Sequence, residues 1–307
     1  MATEKRRHSL FGHVNAETFT DALTREGVSL AALLGSLTAG DEAAGVLLVG
    51  SLAEGLGTPQ SDVDLLVLLG NRDDIVMSAQ DFVFTQGRIV EFLRYQEGIE
   101  FNLEFLFWDD VVALVNPLVD MAPALYDPSR VTSLPLLTYA ELRLLHRLRT
   151  GWPLSGHATA ARWVDELLVH LLPTYVTLRN YMDFHELLED AWSAREAPPG
   201  ALTHIGRLAV EKALFSVLGW HGLTNPNNRW LIHLAQRLDQ GPSGTTAARA
   251  QELLFPPRTF DAPASIGYLT DVTALGDAMR ELYQPDPELR RAIKYLHSSI
   301  HYVDYSR

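Results

Sequence analysis

Two aspartates one residue apart, Asp62 and Asp64, enter the apolar run Leu65-Leu66-Val67-Leu68, and Gly50-Ser51 closes an earlier apolar run, Val46-Leu47-Leu48-Val49. Both runs are short and bounded by turn residues, which suits interior strands better than helices. A strand alternates its faces, so Asp62 and Asp64 are expected on one side with Val63 on the other. Carboxylates held side by side repel each other, and the arrangement costs stability unless a cation sits between them. Hard oxygen ligands beside a Gly-Ser turn point to Mg2+ and a phosphate-bearing substrate. Gly50 would let the backbone approach a phosphate group without a side chain in the way. The neighbouring amides and the Ser51 hydroxyl, with a helix beginning there, could donate to phosphate oxygens.

Other residues carry weaker signals. In the run Glu100 to Trp108, positions 100, 102 and 104 are polar while 101, 103 and 105 are apolar, a strand alternation that then turns fully apolar. Glu104 sits where it turns, and a polar residue there is costly without a partner. Arg143 and Arg147 fall one turn apart on an expected helix. Such a pair can grip phosphate through bidentate forks, although it is more commonly a solvated helix face. Lys212 could reach phosphate or simply form a salt bridge. His185-Glu186-Leu187-Leu188-Glu189 has Glu189 where a zinc-binding helix needs its second histidine, so zinc is rejected there.

Gly50-Ser51 followed by Ser61-Asp62-Val63-Asp64-Leu65 resembles the signature of the DNA polymerase β-like nucleotidyltransferase superfamily, in particular its small-molecule, antibiotic-type branch. The resemblance is specific over about 25 residues. It implies transfer of a nucleoside monophosphate from an NTP, with ATP the first candidate, to a small-molecule acceptor with release of pyrophosphate. It also implies two Mg2+ ions on Asp62, Asp64 and a third carboxylate from a later strand, which completes the second ion site or takes the proton of the attacking group. Glu104 matches that place; Glu100 and Glu91 stay open as alternatives, because strand register is not set by one sequence. The nucleotide would contact Gly50, Ser51, Ser61 and Lys212. Pro226-Asn227-Asn228-Arg229-Trp230 is similar to a Pro-x-x-Lys/Arg-Trp element in the helical domains of small-substrate members, where Trp230 would anchor the turn. Two other functions stay open: nucleotidylation of a partner protein, and a non-catalytic nucleotide-binding module.

These residues need a sheet to hold them. The expected fold is α+β: an N-terminal mixed β-sheet of the nucleotidyltransferase type flanked by helices, followed by a C-terminal α-helical domain. Residues 1–135 would form the catalytic domain and 136–307 a helical acceptor-binding domain, with Pro117, Pro123, Pro128 and Pro135 leading into the boundary. A helical stripe from Thr18 to Leu37 breaks near Gly27. Phe82–Tyr95 and Ile99–Trp108 read as extended, separated by a hairpin-like Gln96-Glu97-Gly98. From Thr138 onward the pattern is helical: a helix to Arg149, a long stretch over 162–189 that Pro173 should kink or interrupt, a helix over 203–220, loops around one short helix over 241–267, and a terminal helix over 287–302.

Composition narrows the partners. The chain has 307 residues, 25 basic against 38 acidic, and a net charge of -13. Lys5, Lys212 and Lys294 are its lysines, so a basic stripe for nucleic acid would have to be built from arginine, and a small or protein acceptor is favoured over DNA or RNA. No cysteine is present, which removes disulfides and thiolate chemistry. No long uncharged apolar run suggests a membrane span, and the first residues lack the apolar core of a signal peptide, so a cytoplasmic location is expected.

Overall fold

The computed structural model describes residues 15–35, 45–58, 60–75, 83–86, 89–112, 116–238, 241–255 and 261–299. The chain divides into two compact units, one of residues 1–116 with 140–170, the other of 117–139 with 171–307.

The first unit begins with α1 (Ala16–Arg25), started by the Asn15 side chain accepting from the Thr18 amide, and α2 (Leu30–Leu34), started by Ser29 in the same way. Gly27, at φ 78°, supplies the left-handed residue that separates them, as the sequence pattern predicts. Next come β1 (Gly45–Val49), the single turn α3 (Gly50–Ala53), β2 (Val63–Leu69), β3 (Val83–Gln86), β4 (Ile89–Gln96), β5 (Ile99–Phe107) and α4 (Trp108–Val112). The expected extended stretch 82–95 is thus two strands. Glu97 (φ 52°) and Gly98 (φ 77°) are both left-handed, the backbone a two-residue hairpin between β4 and β5 requires.

After α5 (Asn116–Tyr126), the chain continues through α6 (Tyr139–Thr150), β6 (Trp152–Ser155) and α7 (His157–Glu166). The six strands form one mixed sheet in the order β3-β4-β5-β2-β1-β6, with β2 and β5 parallel and every other pair antiparallel. β6 departs from the all-helical expectation after Thr138. Its Pro153 lacks an amide donor, which an edge strand tolerates and which hides the strand from pattern reading. Gly151 makes the junction possible, since a β-carbon there would meet the Arg147 carbonyl at 2.8 Å and Val49 of β1 at 3.0 Å. Pairing of β6 with β1 draws residues 140–170 into the first unit, whereas a cut after residue 135 would assign them to the second.

The sheet has two unlike faces. Val46 and Leu48 of β1, Val63, Leu65 and Val67 of β2, Phe92 of β4, and Phe101, Leu103 and Phe105 of β5 form one core with Phe19 and Leu23 of α1 and Leu33 and Leu34 of α2. The opposite face carries Asp64 and Leu66, then Asn102 and Glu104, then Glu91 and Leu93, set in line by the ladder pairs Asp64↔Asn102, Leu66↔Glu104, Leu93↔Asn102 and Glu91↔Glu104.

The second unit is helical: α5, α8 (Leu172–Ser193), α9 (Pro199–Trp220), α10 (Leu231–Ala235), α11 (Pro242–Leu254), α12 (Ala262–Tyr283) and α13 (Pro287–Ser299). The helix expected over 162–189 is in fact α7, a 3-10 turn at Val169–Leu171 and α8. Pro173 lies in the first turn of α8, where its missing amide is no loss, and Leu168, at φ 50°, marks the break before it. Within the stretch expected as loops to residue 267, α12 begins at Ala262, started by the Asp261 side chain accepting from the Ala264 amide; residues 256–260 lie outside the described residues. α8 and α9 pack tightly where Gly219 lets the backbones meet at Thr177, and the Ser216 hydroxyl donates to the Thr177 carbonyl. Among the described residues no helix is long and apolar enough to cross a membrane.

Phe105 is fully buried and meets the Phe92 ring edge-on at 5.1 Å between centroids. Phe105→Ala is therefore expected to lower the stability of the first unit by about 3–5 kcal/mol, read as a shift in the urea midpoint.

Candidate active site

Register creates the site. Because β2 and β5 run parallel, Asp64 lies beside Asn102 and Leu66 beside Glu104, which brings the two acids to one face within two residues of each other. β4, antiparallel to β5, adds Glu91 directly opposite Glu104. Asp62, just before β2, is exposed and adds its negative charge to the field at Asp64. Glu100 lies four residues back along β5 and accepts from the Tyr95 hydroxyl at 3.0 Å, which leaves Glu104 and Glu91 as the acids beside the Asp64 position.

α6 answers this charge. Arg143 Nη2 donates to Glu104 Oε1 at 2.7 Å, and Arg147 ion-pairs with the same oxygen while its Nη2 lies 3.7 Å from Asp64 Oδ2. Glu104 is 1% exposed and the Arg147 side chain 9%, so Arg147 is buried against the sheet, while Arg143, 34% exposed, reaches the same carboxylate from a half-exposed position. Burial pushes the Arg147 guanidinium down, but Glu104, Asp64 and Glu91 together lift it above the usual arginine value. Burial likewise raises Glu91, reinforced by Glu104 and opposed by the two arginines.

Asp64 is less well compensated. Its carboxylate accepts from Asn102 Nδ2 at 3.2 Å, yet burial, with repulsion from Asp62 and Glu104, raises its pKa to about 6 against the pull of Arg147. Gly50 crowds it from the other side. β1 pairs Val49 with Asp64, and the next residue turns back at φ 71°, so close that a β-carbon on Gly50 would overlap the Asp64 carboxylate. The turn thus needs glycine twice, for its backbone conformation and for the close approach.

The loop after the turn is held by its own hydrogen bonds. The Leu56 amide donates to the Ser51 carbonyl at 2.8 Å, and the Thr58 amide donates to Ser61 Oγ at 2.9 Å while the Ser61 amide returns to the Thr58 carbonyl. Ser61 therefore braces the approach to Asp62. His146 Nε2 of α6 lies 3.1 Å from Glu54 Oε1, just past α3, which ties the helix to the turn. Lys212 lies in the second unit, where its Nζ donates to Asp183 Oδ2 at 2.7 Å beside Arg179.

The first unit thus brings together Gly50, Ser51, Ser61, Asp62, Asp64 and Glu104, and adds Asn102, His146 and Glu54. Asn102 had a signal in the polar alternation of β5; the His146–Glu54 contact had none. Among the described residues no group of three His, Asp or Glu side chains could hold a metal ion. Asp62 and Asp64 do fit a single hard cation: both are oxygen donors two residues apart, and the charged form of Asp64, disfavoured first by burial and then by Asp62 and Glu104, is one that a cation would favour. Glu104 fits less well, since its Oε1 is engaged by two guanidiniums.

Residues 30–120 match the family described as "Nucleotidyltransferase domain", a span that takes in Gly50, Ser51, Asp62, Asp64 and Glu104. No curated protein matches the chain. Among solved structures, a nucleotidyltransferase-like protein from Exiguobacterium sibiricum 255-15 is similar with a TM-score of 0.42 and 12% identity, over 87% of this chain and 80% of that one, a likeness too loose to carry argument.

Two outcomes follow from this geometry. Gly50→Ala forces a β-carbon into a left-handed residue and against Asp64, and is expected to cost about 1–3 kcal/mol or more, visible as a lowered melting temperature. Asp64 has a folded pKa above its unfolded one, so its neutral form favours the fold below the unfolded value near 3.8 and that support is lost as pH rises through about 6. Without added metal, Asp64→Asn should therefore stabilise the protein at pH 7.5 by about 1–3 kcal/mol, a gain that shrinks below pH 5 in paired melting curves.

Proposed function

We propose that this protein is a Mg2+-dependent nucleotidyltransferase that moves a nucleoside monophosphate from an NTP, ATP first, to a hydroxyl or amine of a small-molecule acceptor. The observation that carries this reading is the placement of Asp64, with Asp62 two residues before it, against the Gly50 turn, inside the residues that match the nucleotidyltransferase domain. In the reaction the acceptor's oxygen or nitrogen forms a bond to the α-phosphorus as the bond from that phosphorus to the bridging oxygen breaks. Pyrophosphate leaves with that electron pair, and the acceptor's proton passes to solvent or a neighbouring carboxylate.

The chain's own residues have separable parts. Gly50 and Ser51 present backbone and a hydroxyl to the triphosphate with no side chain at position 50 to obstruct it. Asp62 and Asp64 would hold the Mg2+, with Asn102 fixing the orientation of Asp64. When bound, the ion neutralises triphosphate oxygens and polarises the α-phosphate. Ser61 keeps the loop closed so that Asp62 stays beside Asp64. A net charge of -13 favours a small acceptor over a nucleic-acid polymer.

The test is pyrophosphate release from each of the four NTPs with Mg2+, against a panel of hydroxy, amino and sugar acceptors. Transfer to at least one acceptor is expected, and Asp62→Asn should lower kcat by about 10²–10³-fold with circular dichroism unchanged. Near-normal Mg2+-dependent turnover in that variant, or label from the NTP entering only protein, would overturn the assignment.

A further inference from the structure

Taking nucleotidyl transfer as the activity of this site, we infer that it works with one divalent ion, and that Arg147, aimed by Glu104, stands where a second ion would. Two-ion phosphoryl-transfer sites place a second cation between carboxylates to serve the attacking oxygen. Here the position between Asp64 and Glu104 is already filled by a guanidinium: Arg147 ion-pairs with Glu104 Oε1 through Nη1 and reaches Asp64 Oδ2 at 3.7 Å through Nη2. Arg143 closes on the same Glu104 oxygen at 2.7 Å.

The charge balance agrees. The acids Asp62, Asp64, Glu91 and Glu104 meet the guanidiniums Arg143 and Arg147, and the two negative charges left over match a single divalent cation. Burial decides how durable the arrangement is. Glu104 is 1% exposed and the Arg147 side chain 9%, and separating a buried pair leaves an uncompensated charge on each partner. An incoming ion would have to displace Arg147 from Glu104 to use that carboxylate. Glu104 is accordingly a positioning residue that fixes Arg147, and Arg147 presents positive charge to the reacting phosphate without an exchangeable metal.

The experiment is a Mn2+ titration of the full chain with an α,β-methylene NTP, counting bound ions by electron paramagnetic resonance. One ion per chain is expected for the native protein. Glu104→Gln keeps an acceptor oxygen for the arginines and should leave that count at one while lowering kcat. Arg147→Met should vacate the position between Asp64 and Glu104, with Arg143 left as the arginine partner of Glu104, and raise the count to two. A residue acting on the ion through a neighbour shifts affinity about 10–100-fold, so the count is the discriminating readout. Two ions in the native protein would overturn the one-ion site and leave nucleotidyl transfer standing. No ion with any of the four analogues would overturn both. If either variant fails to fold, the native count alone decides.

Discussion

The structure turns on the pairing of acids contributed by neighbouring strands with guanidiniums from one helix. Parallel pairing of β2 with β5 places Asp64 and Glu104 on the same face, and antiparallel β4 adds Glu91. In a partly dry environment like charges so placed interact far more strongly than they would in water. Leu66 and Leu106 on that same face are buried, so the acids cannot simply be left to solvent. Arginines at positions 143 and 147 reach the same strand residue because i and i+4 share one face of a helix. The pairing needs not add net stability over an apolar core; what it does is make any other placement of α6 costly, since removing one buried partner strands the other.

The same helix reaches the Gly50 turn. His146, between the two arginines, contacts Glu54 immediately after the Gly50–Ala53 turn. One face of α6 therefore fixes both the carboxylates and the turn beside them. Gly151 then lets the chain leave α6 and pair as β6 with β1, so the strand that ends at Gly50 is held on both edges, by β2 and by β6. Local chain chemistry and sheet topology converge on one short stretch of backbone, which preorganises the turn beside Asp64.

Much of this was legible in sequence because it depends on local signals. Short apolar runs bounded by Gly, Ser and Asp specify β1 and β2, and period-2 alternation specifies β5 and the face that Glu104 shares with Asn102. The hairpin at Glu97-Gly98 and the helix break at Gly27 follow from left-handed residues. What was hidden depends on partners distant in sequence. β6 has no alternation and carries a proline, so nothing in Trp152–Ser155 announces a strand until β1 offers an edge. The arginine pair looks the same whether the helix face meets water or acids; only the position of α6 over Glu104 decides. Pro173 is compatible with a mid-helix kink and with a first turn, and the positive φ of Leu168, invisible in sequence, selects the second.

The acids differ in how far the fold satisfies them, and the order is informative. Glu104, innermost, is matched by two guanidiniums; Asp64 has one amide donor and a longer contact to Arg147; Asp62 is exposed. Compensation thus declines outward from the core toward the Gly50 turn. A sequence selected only for stability would have no reason to keep Asp64, whose pKa of about 6 shows that its charged form is disfavoured in the folded protein. Nor would it need a glycine at position 50 that is shaped around that same carboxylate. Local rules broken without a structural return are expected where a ligand supplies the missing interaction, and here the breach lies at Gly50 and the Asp64 carboxylate it meets.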